Sequence, residues 1–261
     1  MKIKINHKIP IGFILVLFLS FGIDTNSDNL PVTEVVLISS MHGTHENHDT
    51  YSYDTLYSLI RYYTPDFVGV EIRPEDLEAA DDYLGRNYPK EMIALLKEYK
   101  SNAFGFDWLG ESIVGLPIPD DYWKNLEVKK LAKLMMDDEE LLSRKPVGIN
   151  VLKDKQNQIL LTATPASLND GRYGQLCREI DTLEELWLEG TGFEKIIAFD
   201  RMRDARIGKN ITGFIASNPG LRIVIVLGAD HRTFALEAIE NKFKEQVRIL
   251  PVVDSEIIGS E

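Results

Sequence analysis

The chain has 261 residues, of which 44% are hydrophobic and 27% charged, and its formal net charge is −12. This length and composition suit one large globular domain and exclude a disordered or collagen-like chain. A strongly acidic surface repels phosphate backbones, which argues against nucleic acid as a partner. The single cysteine, Cys177, excludes an internal disulfide.

The N-terminus has the order of a secretory signal. Three lysines lie within residues 1–8, an apolar run covers residues 9–23, and Gly22 supplies a small residue before a cleavage point. We therefore predict that residues 1–22 are a signal peptide and that the protein is exported, to the periplasm, the cell surface or the medium. The alternative is an uncleaved anchor to about residue 29, which would attach the protein to a membrane, although a span needs about 20 apolar residues.

Beyond residue 30 the sequence alternates between strand and helix patterns. Strands are predicted at residues 35–39, 67–72, 103–107, 222–227 and, at an edge, 247–250. Helices are predicted at residues 53–63, from Pro74 onward, and at residues 89–99, 122–143, 175–190, 193–217 and 233–243. This alternation predicts an α/β fold, with a mainly parallel mixed sheet flanked by helices and a helical insertion in its middle. Residues 30–261 are expected to form a single domain.

The predicted strands end in chemically active side chains. The first strand leads into His42, His45 and His48, the third ends at Asp107, and the fourth leads into Asp230 and His231. Ligands of open α/β sheets bind outside the carboxyl ends of the strands, so we predict a site at this edge.

Two charged residues interrupt apolar patterns. Glu71 lies in the strand FVGVEI, where an unpaired carboxylate is costly, and it therefore needs a cation, a metal or a strong donor. Arg203 falls on the apolar stripe of its helix, four residues before Ile207. Its partner would be Glu71 or an acid near Asp204; otherwise the guanidinium points into the site as an electrostatic stabiliser.

Four motifs in chain order resemble the TraB/PrgY/GumN and Tiki family, and more distantly the erythromycin esterase and ChaN-like proteins. The segment HGTHENH and the later PDFVGVEIRPED are similar to the opening of that family. Met202-Arg203-Asp204 resembles its later helix motif, and Gly228-Ala229-Asp230-His231 resembles its C-terminal Gly-x-x-His motif. The first motif departs from the family pattern, because His42 and His45 are both candidates for its functional histidine.

The resemblance implies an α/β hydrolase site at the strand ends. The leading hypothesis is a metal-dependent hydrolase of peptides or small esters, in which His45, Glu71 and His231 hold Mn, Co or Zn and His42 is the alternative ligand. In that hypothesis Arg203 stabilises the oxyanion and Asp107 orients a ligand. Erythromycin-esterase-like members imply a second hypothesis without metal, with His45 as the general base tuned by Glu71. ChaN-like members imply a third, a haem- or metal-binding protein without turnover.

His231 is expected near the start of a helix that begins at Thr233. The positive end of the helix dipole disfavours an imidazolium there, so His231 is predicted to stay neutral.

Overall fold

A computed structural model describes residues 32–254 and residue 256 of the chain. The predicted signal peptide or anchor therefore lies outside the described residues. Within the described part, no helix is long and apolar enough to cross a membrane. The described residues belong to one compact unit.

Five parallel strands form the sheet, in the order β3-β2-β4-β1-β5. They are β1 (Thr33–Ser40), β2 (Phe67–Val70), β3 (Ala103–Gly105), β4 (Arg222–Gly228) and β5 (Val247–Ile249). The predicted α/β class is thus confirmed. The sheet was expected to be mainly parallel and mixed, but every strand pair among the described residues is parallel, because helices connect each strand to the next.

Helices cover both faces of the sheet. They are α1 (Tyr53–Tyr62), α2 (Asp81–Asn87), α3 (Lys90–Tyr99), α4 (Tyr122–Asn125), α5 (Glu127–Met136), α6 (Glu139–Ser143), α7 (Val147–Leu161), α8 (Pro165–Leu168), α9 (Arg172–Leu188), α10 (Glu194–Ser217) and α11 (Ala229–Phe243). Alternate strand residues point to opposite faces of the sheet. Those on one face, such as Val36, pack with α1 and α3, and those on the other face, such as Val35, pack with α10 and α11. This double burial explains why β1 and β4 read as continuous apolar runs.

The helical insertion is divided more finely than the sequence pattern predicts. The single helix predicted over residues 122–143 is three helices, because Leu126 is extended and Asp138 starts a new helix. The Asp138 side chain accepts a hydrogen bond from the backbone N–H of Leu141 at 2.9 Å, which is the bond of an N-cap. Helix α7 is an additional element, which the hydrophobic periodicity did not predict.

Three element boundaries near the site differ from the predictions. Strand β3 ends at Gly105, so Asp107 lies two residues beyond it. Strand β2 ends at Val70, so Glu71 is the first residue after the strand rather than its last part. Helix α11 starts at Ala229 rather than at Thr233, directly where β4 ends. His231 therefore lies in the first turn of α11.

Candidate functional site

The strand order brings four polar strand ends side by side. Strand β4 lies between β1 and β2, and β3 lies beside β2. In spatial order, the residues after these strands are His42 (β1), His231 (β4), Glu71 (β2) and Asp107 (β3). Residues separated by nearly 190 positions in the chain thus meet at one edge, as expected for the carboxyl ends of parallel strands.

Glu71 is the centre of this group. It is 6% exposed, and each carboxylate oxygen has a partner. Oε1 accepts a hydrogen bond from Arg203 Nη2 at 2.8 Å, and Oε2 accepts one from the backbone N–H of Gly228 at 2.6 Å. Burial by itself raises the pKa of Glu71, but the charges of His231, Arg203 and His42 hold the pKa below its ordinary value. Glu71 is therefore an anion in the folded protein.

Arg203 joins two strand ends. Its Nε donates to Asp107 Oδ1 at 3.0 Å, while its Nη2 reaches both Asp107 and Glu71. Burial raises the pKa of Asp107 to about 6, although the positive charge of Arg203 acts to lower it. The sequence suggested Glu71 or an acid near Asp204 as the partner of Arg203, and the structure shows Glu71 together with Asp107. Asp107 therefore positions Arg203 and not a histidine.

His231 is oriented by Asp204, which lies on α10. The two side chains approach within 2.6 Å, from Nδ1 to Oδ1, and the opposite nitrogen, Nε2, lies 3.7 Å from Glu71 Oε1. Burial lowers the pKa of His231, yet the hydrogen bond that its ring donates to Asp204 and the charge of Glu71 outweigh burial and raise the pKa above its usual value. The direction of this shift runs against the prediction of a neutral His231, because two carboxylates oppose the helix dipole.

His42 is held in a similar way from the other side. Its Nδ1 lies 2.7 Å from Oε1 of Glu91, a residue of α3 that is fully buried. Burial lowers the pKa of His42, but Glu91 and the charge of Glu71 raise it above its usual value. The backbone of His42 has a φ of 50°, in the left-handed region that side chains other than glycine rarely adopt. Local strain of this kind is often concentrated at functional sites.

His45 and His48 have structural partners. His45 is fully buried, with Nδ1 donating to the carbonyl of Tyr51 and Nε2 accepting from the backbone N–H of Met41. Burial also lowers the pKa of His45, in keeping with a neutral ring. His48 donates through Nε2 to the carbonyl of Leu160 at 2.9 Å. Of the histidines after β1, only His42 has a ring nitrogen directed toward Glu71.

Gly228 leaves the space in which these groups face one another. A Cβ atom added there would lie 2.9 Å from His42 Nε2 and 3.4 Å from Glu71 Oε2. A methyl group 2.9 Å from His42 Nε2 would be closer than normal van der Waals contact. Only glycine therefore lets the backbone of β4 lie this close to the imidazole.

The predicted metal ligands do not form one coordination set in this arrangement. Both ring nitrogens of His45 are engaged by the backbone, and the Arg203 guanidinium contacts the carboxylate of Glu71. Across the described residues, no group of three or more His, Cys, Asp or Glu side chains is placed to hold a metal ion. In this arrangement the guanidinium of Arg203 takes the place beside Glu71 that a metal cation would need.

Glu91 is the site residue that sequence reasoning missed. It is the second residue of α3 and lies four positions before the buried Leu95, on the face of the helix that packs against the sheet. A carboxylate on an apolar helical face is the same anomaly that identified Arg203, so the signal was present in the sequence.

Comparison of the chain with family models, with curated proteins and with solved structures found no significant match. The resemblance to the TraB and Tiki family therefore stays a prediction.

Proposed function

We propose that the protein is a metal-independent hydrolase of small esters or peptides, with His42 as the general base. The observation that carries this proposal is the His42–Glu91 pair, which leaves Nε2 of His42 facing Glu71 beside a cationic group, Arg203. A carboxylate behind an imidazole fixes its tautomer and stabilises the imidazolium that forms when the ring accepts a proton. Export of the enzyme is a separate proposal, which rests on residues 1–22.

In the proposed reaction, His42 removes a proton from a water molecule through Nε2, and the resulting hydroxide attacks the carbonyl carbon of the substrate. Glu91 stays ionised, since its hydrogen bonds from His42 and Ser40 lower its pKa against the effect of burial. The imidazolium is thereby stabilised while the tetrahedral intermediate exists.

Arg203 and His231 would act on the other side of the carbonyl. Among the described residues, Nη1 of Arg203 has no hydrogen-bond partner, so it is free to donate to the oxyanion. His231, whose pKa is raised by Asp204 and Glu71, would be protonated and would give its proton to the leaving group. Glu71 contacts both Arg203 and His231 and so holds these two cationic side chains in position.

The test is a comparison of His42→Asn with the wild type on a panel of para-nitrophenyl esters and peptides, with and without a chelator. Asparagine tolerates the left-handed backbone of residue 42, so the variant should fold. We expect kcat to fall by about 100-fold or more and the wild-type activity to be indifferent to the chelator. The matched control is Asn47→Ala, an exposed change in the same turn. Wild-type kcat in His42→Asn would overturn the proposal.

A metal-dependent hydrolase is the second candidate, and one observation favours it. Both His42 and His231 have a carboxylate on Nδ1 and an Nε2 on the side of Glu71, which is the usual outer-shell pattern of metal-bound histidines. If Arg203 moved away, these two nitrogens and Glu71 would be the donors, and a bound metal would lower the pKa of a water molecule. Loss of activity on chelation, restored by Mn, Co or Zn, would establish this candidate instead.

A further inference from the structure

Ser40 is the last residue of β1, and its side chain is buried beside the proposed base. A buried hydroxyl normally has hydrogen-bond partners, and both strong partners of Ser40 belong to the pair formed by His42 and Glu91. Its Oγ donates to Oε1 of Glu91 at 2.7 Å and accepts from the backbone N–H of His42 at 3.0 Å. One hydroxyl therefore joins the backbone of the base to the carboxylate behind its ring.

The direction of the Ser40 hydroxyl is determined by His45. Nδ1 of His45 lies 2.6 Å from the carbonyl oxygen of Tyr51, and Nε2 lies 2.9 Å from the backbone nitrogen of Met41. A carbonyl only accepts and a backbone N–H only donates, so the ring carries its proton on Nδ1 and accepts through Nε2. Nε2 also lies 3.3 Å from Ser40 Oγ, but Glu91 is closer and is an anion, so Glu91 receives the hydroxyl proton.

Glu91 depends on this contact because it has few other partners. Its side chain is 0% exposed, and Oε2 has no hydrogen-bond partner among the described residues. The two side-chain groups that bond to it, Nδ1 of His42 and Oγ of Ser40, both reach Oε1. A buried carboxylate is costly unless it is hydrogen-bonded. Without Ser40, the only side chain left to fix the carboxylate would be the base itself.

We propose that Ser40 is a positioning residue of the hydrolase, which fixes the carboxylate of Glu91 relative to the imidazole of His42. Ser40 does not attack the substrate, because it is only 1% exposed and its hydroxyl proton is donated to Glu91. It acts through the base, by keeping Nδ1 of His42 on Oε1 and Nε2 directed toward Gly228. Its effect on turnover rests on the proposed hydrolase function, whereas its effect on the His42–Glu91 pair does not.

The kinetic experiment compares Ser40→Ala, Ser40→Cys and Ser40→Thr with the wild type on the panel of para-nitrophenyl esters and peptides. Alanine lacks the hydroxyl, cysteine replaces it with a weak donor, and threonine retains it. We expect kcat to fall about 10- to 100-fold in Ser40→Ala and Ser40→Cys, because the base is misplaced. KM should be unchanged, because Ser40 does not contact the substrate. Ser40→Thr should retain most of the wild-type kcat.

The matched control is Ser39→Ala. Ser39 is equally buried, at 1% exposed, and precedes Ser40 on β1. Its hydrogen bonds to Asn169 and Tyr51 use its backbone N–H and carbonyl, which alanine retains. Ser39→Ala should therefore have the kcat of the wild type, although it removes the same hydroxyl from the same strand.

A second measurement does not require turnover. Proton NMR observes the Nδ1–H of His42, whose resonance is assigned by its absence in His42→Asn and lies far downfield because this group donates to a buried anion. Ser40→Ala should shift or broaden the resonance, because the carboxylate of Glu91 is then free to rotate. Ser39→Ala should leave it unchanged.

Wild-type kcat in Ser40→Ala, or an unchanged His42 resonance in that variant, overturns the proposal. Wild-type kcat in Ser40→Cys does so too, since the shape of the side chain would then suffice. If the wild type hydrolyses no member of the panel but the resonance responds to Ser40→Ala and not to Ser39→Ala, the hydrolase is refuted. Ser40 is then still established as the residue that fixes the His42–Glu91 pair.

Discussion

Arg203 is the side chain that couples the most groups in the site. One planar guanidinium contacts Asp107 through Nε and Nη2 and Glu71 through Nη2. A lysine ammonium is a point charge and cannot reproduce this fork from the same backbone position. With lysine at position 203, the repulsion between the carboxylates of Glu71 and Asp107 would be offset less completely.

We therefore predict that Arg203→Lys is not a conservative change. It should lower the free energy of unfolding by about 1.5–3 kcal/mol, the usual contribution of hydrogen bonds to charged groups, and it should reduce kcat. Chemical denaturation and steady-state kinetics measure the two effects. Arg206→Lys is the matched control, since Arg206 lies on the same helix and forms an exposed ion pair with Glu111. Wild-type stability and kcat in Arg203→Lys would show that the fork is dispensable.

Glu91 controls the protonation of His42, which must be neutral to act as a base. Because the pKa of His42 is raised, partly by Glu91, the midpoint of the rise in activity with pH should lie above the ordinary histidine pKa of 6.5. Glu91→Gln removes that contribution while burial continues to lower the pKa. We predict that the acidic limb of kcat/KM against pH moves to lower pH and that kcat falls. Glu46→Gln, an exposed change near His42, should leave the pH profile of kcat/KM unchanged. If the acidic limb of Glu91→Gln lay at the same pH as in the wild type, Glu91 would not control the protonation of His42.

The junction of β4 and α11 is the element that determines the shape of the site. The helix begins at Ala229 without an intervening loop, so Gly228 has to turn the chain while its N–H binds Glu71. This direct junction is why His231 lies in the first turn of α11 and close to the sheet edge.

Substitution of Gly228 by alanine should close the gap between His42 and Glu71. The added methyl group would meet His42 Nε2 at 2.9 Å, so we predict loss of most activity and a cost of about 1–3 kcal/mol in stability from overpacking. The control is Gly43→Ala in the same region, where an added Cβ meets no atom within 4 Å. Kinetics and thermal unfolding of both variants test this; equal activity of Gly228→Ala and wild type would show that the space is not needed.

The whole domain carries several groups whose protonation differs between the folded and unfolded states. The pKa values of His42 and His231 are raised on folding, so their stabilising contribution is present below their ordinary pKa of 6.5 and is lost as the pH rises through the folded values. Glu71 and Glu91 have lowered pKa values, so their contribution is present above 4.5 and is lost as the pH falls. Burial raises the pKa of Asp107 to about 6, which also favours the folded state at mildly acidic pH.

These signs place the highest melting temperature between pH 4.5 and 6.5 and predict a decline above that window, as His42 and His231 lose their protons. Calorimetric scans across the pH range measure this curve. His231→Gln should flatten the decline above pH 6.5, since it removes one of the two raised histidine pKa values. A melting temperature that rises steadily from about pH 5 to about pH 8 would contradict the raised pKa values of the two histidines.

The sequence alone determined the strands, most helices and the edge of the sheet at which the polar residues gather, because hydrophobic periodicity is a local property of the chain. It also identified Glu71 and Arg203, since a charge within an apolar pattern is a local anomaly. Only the tertiary structure decided that β4 lies between β1 and β2, that His42 rather than His45 faces Glu71, and that Glu91 and Asp204 hold the two histidines. Those choices depend on hydrogen bonds between residues 27 to 157 positions apart, which no local pattern encodes.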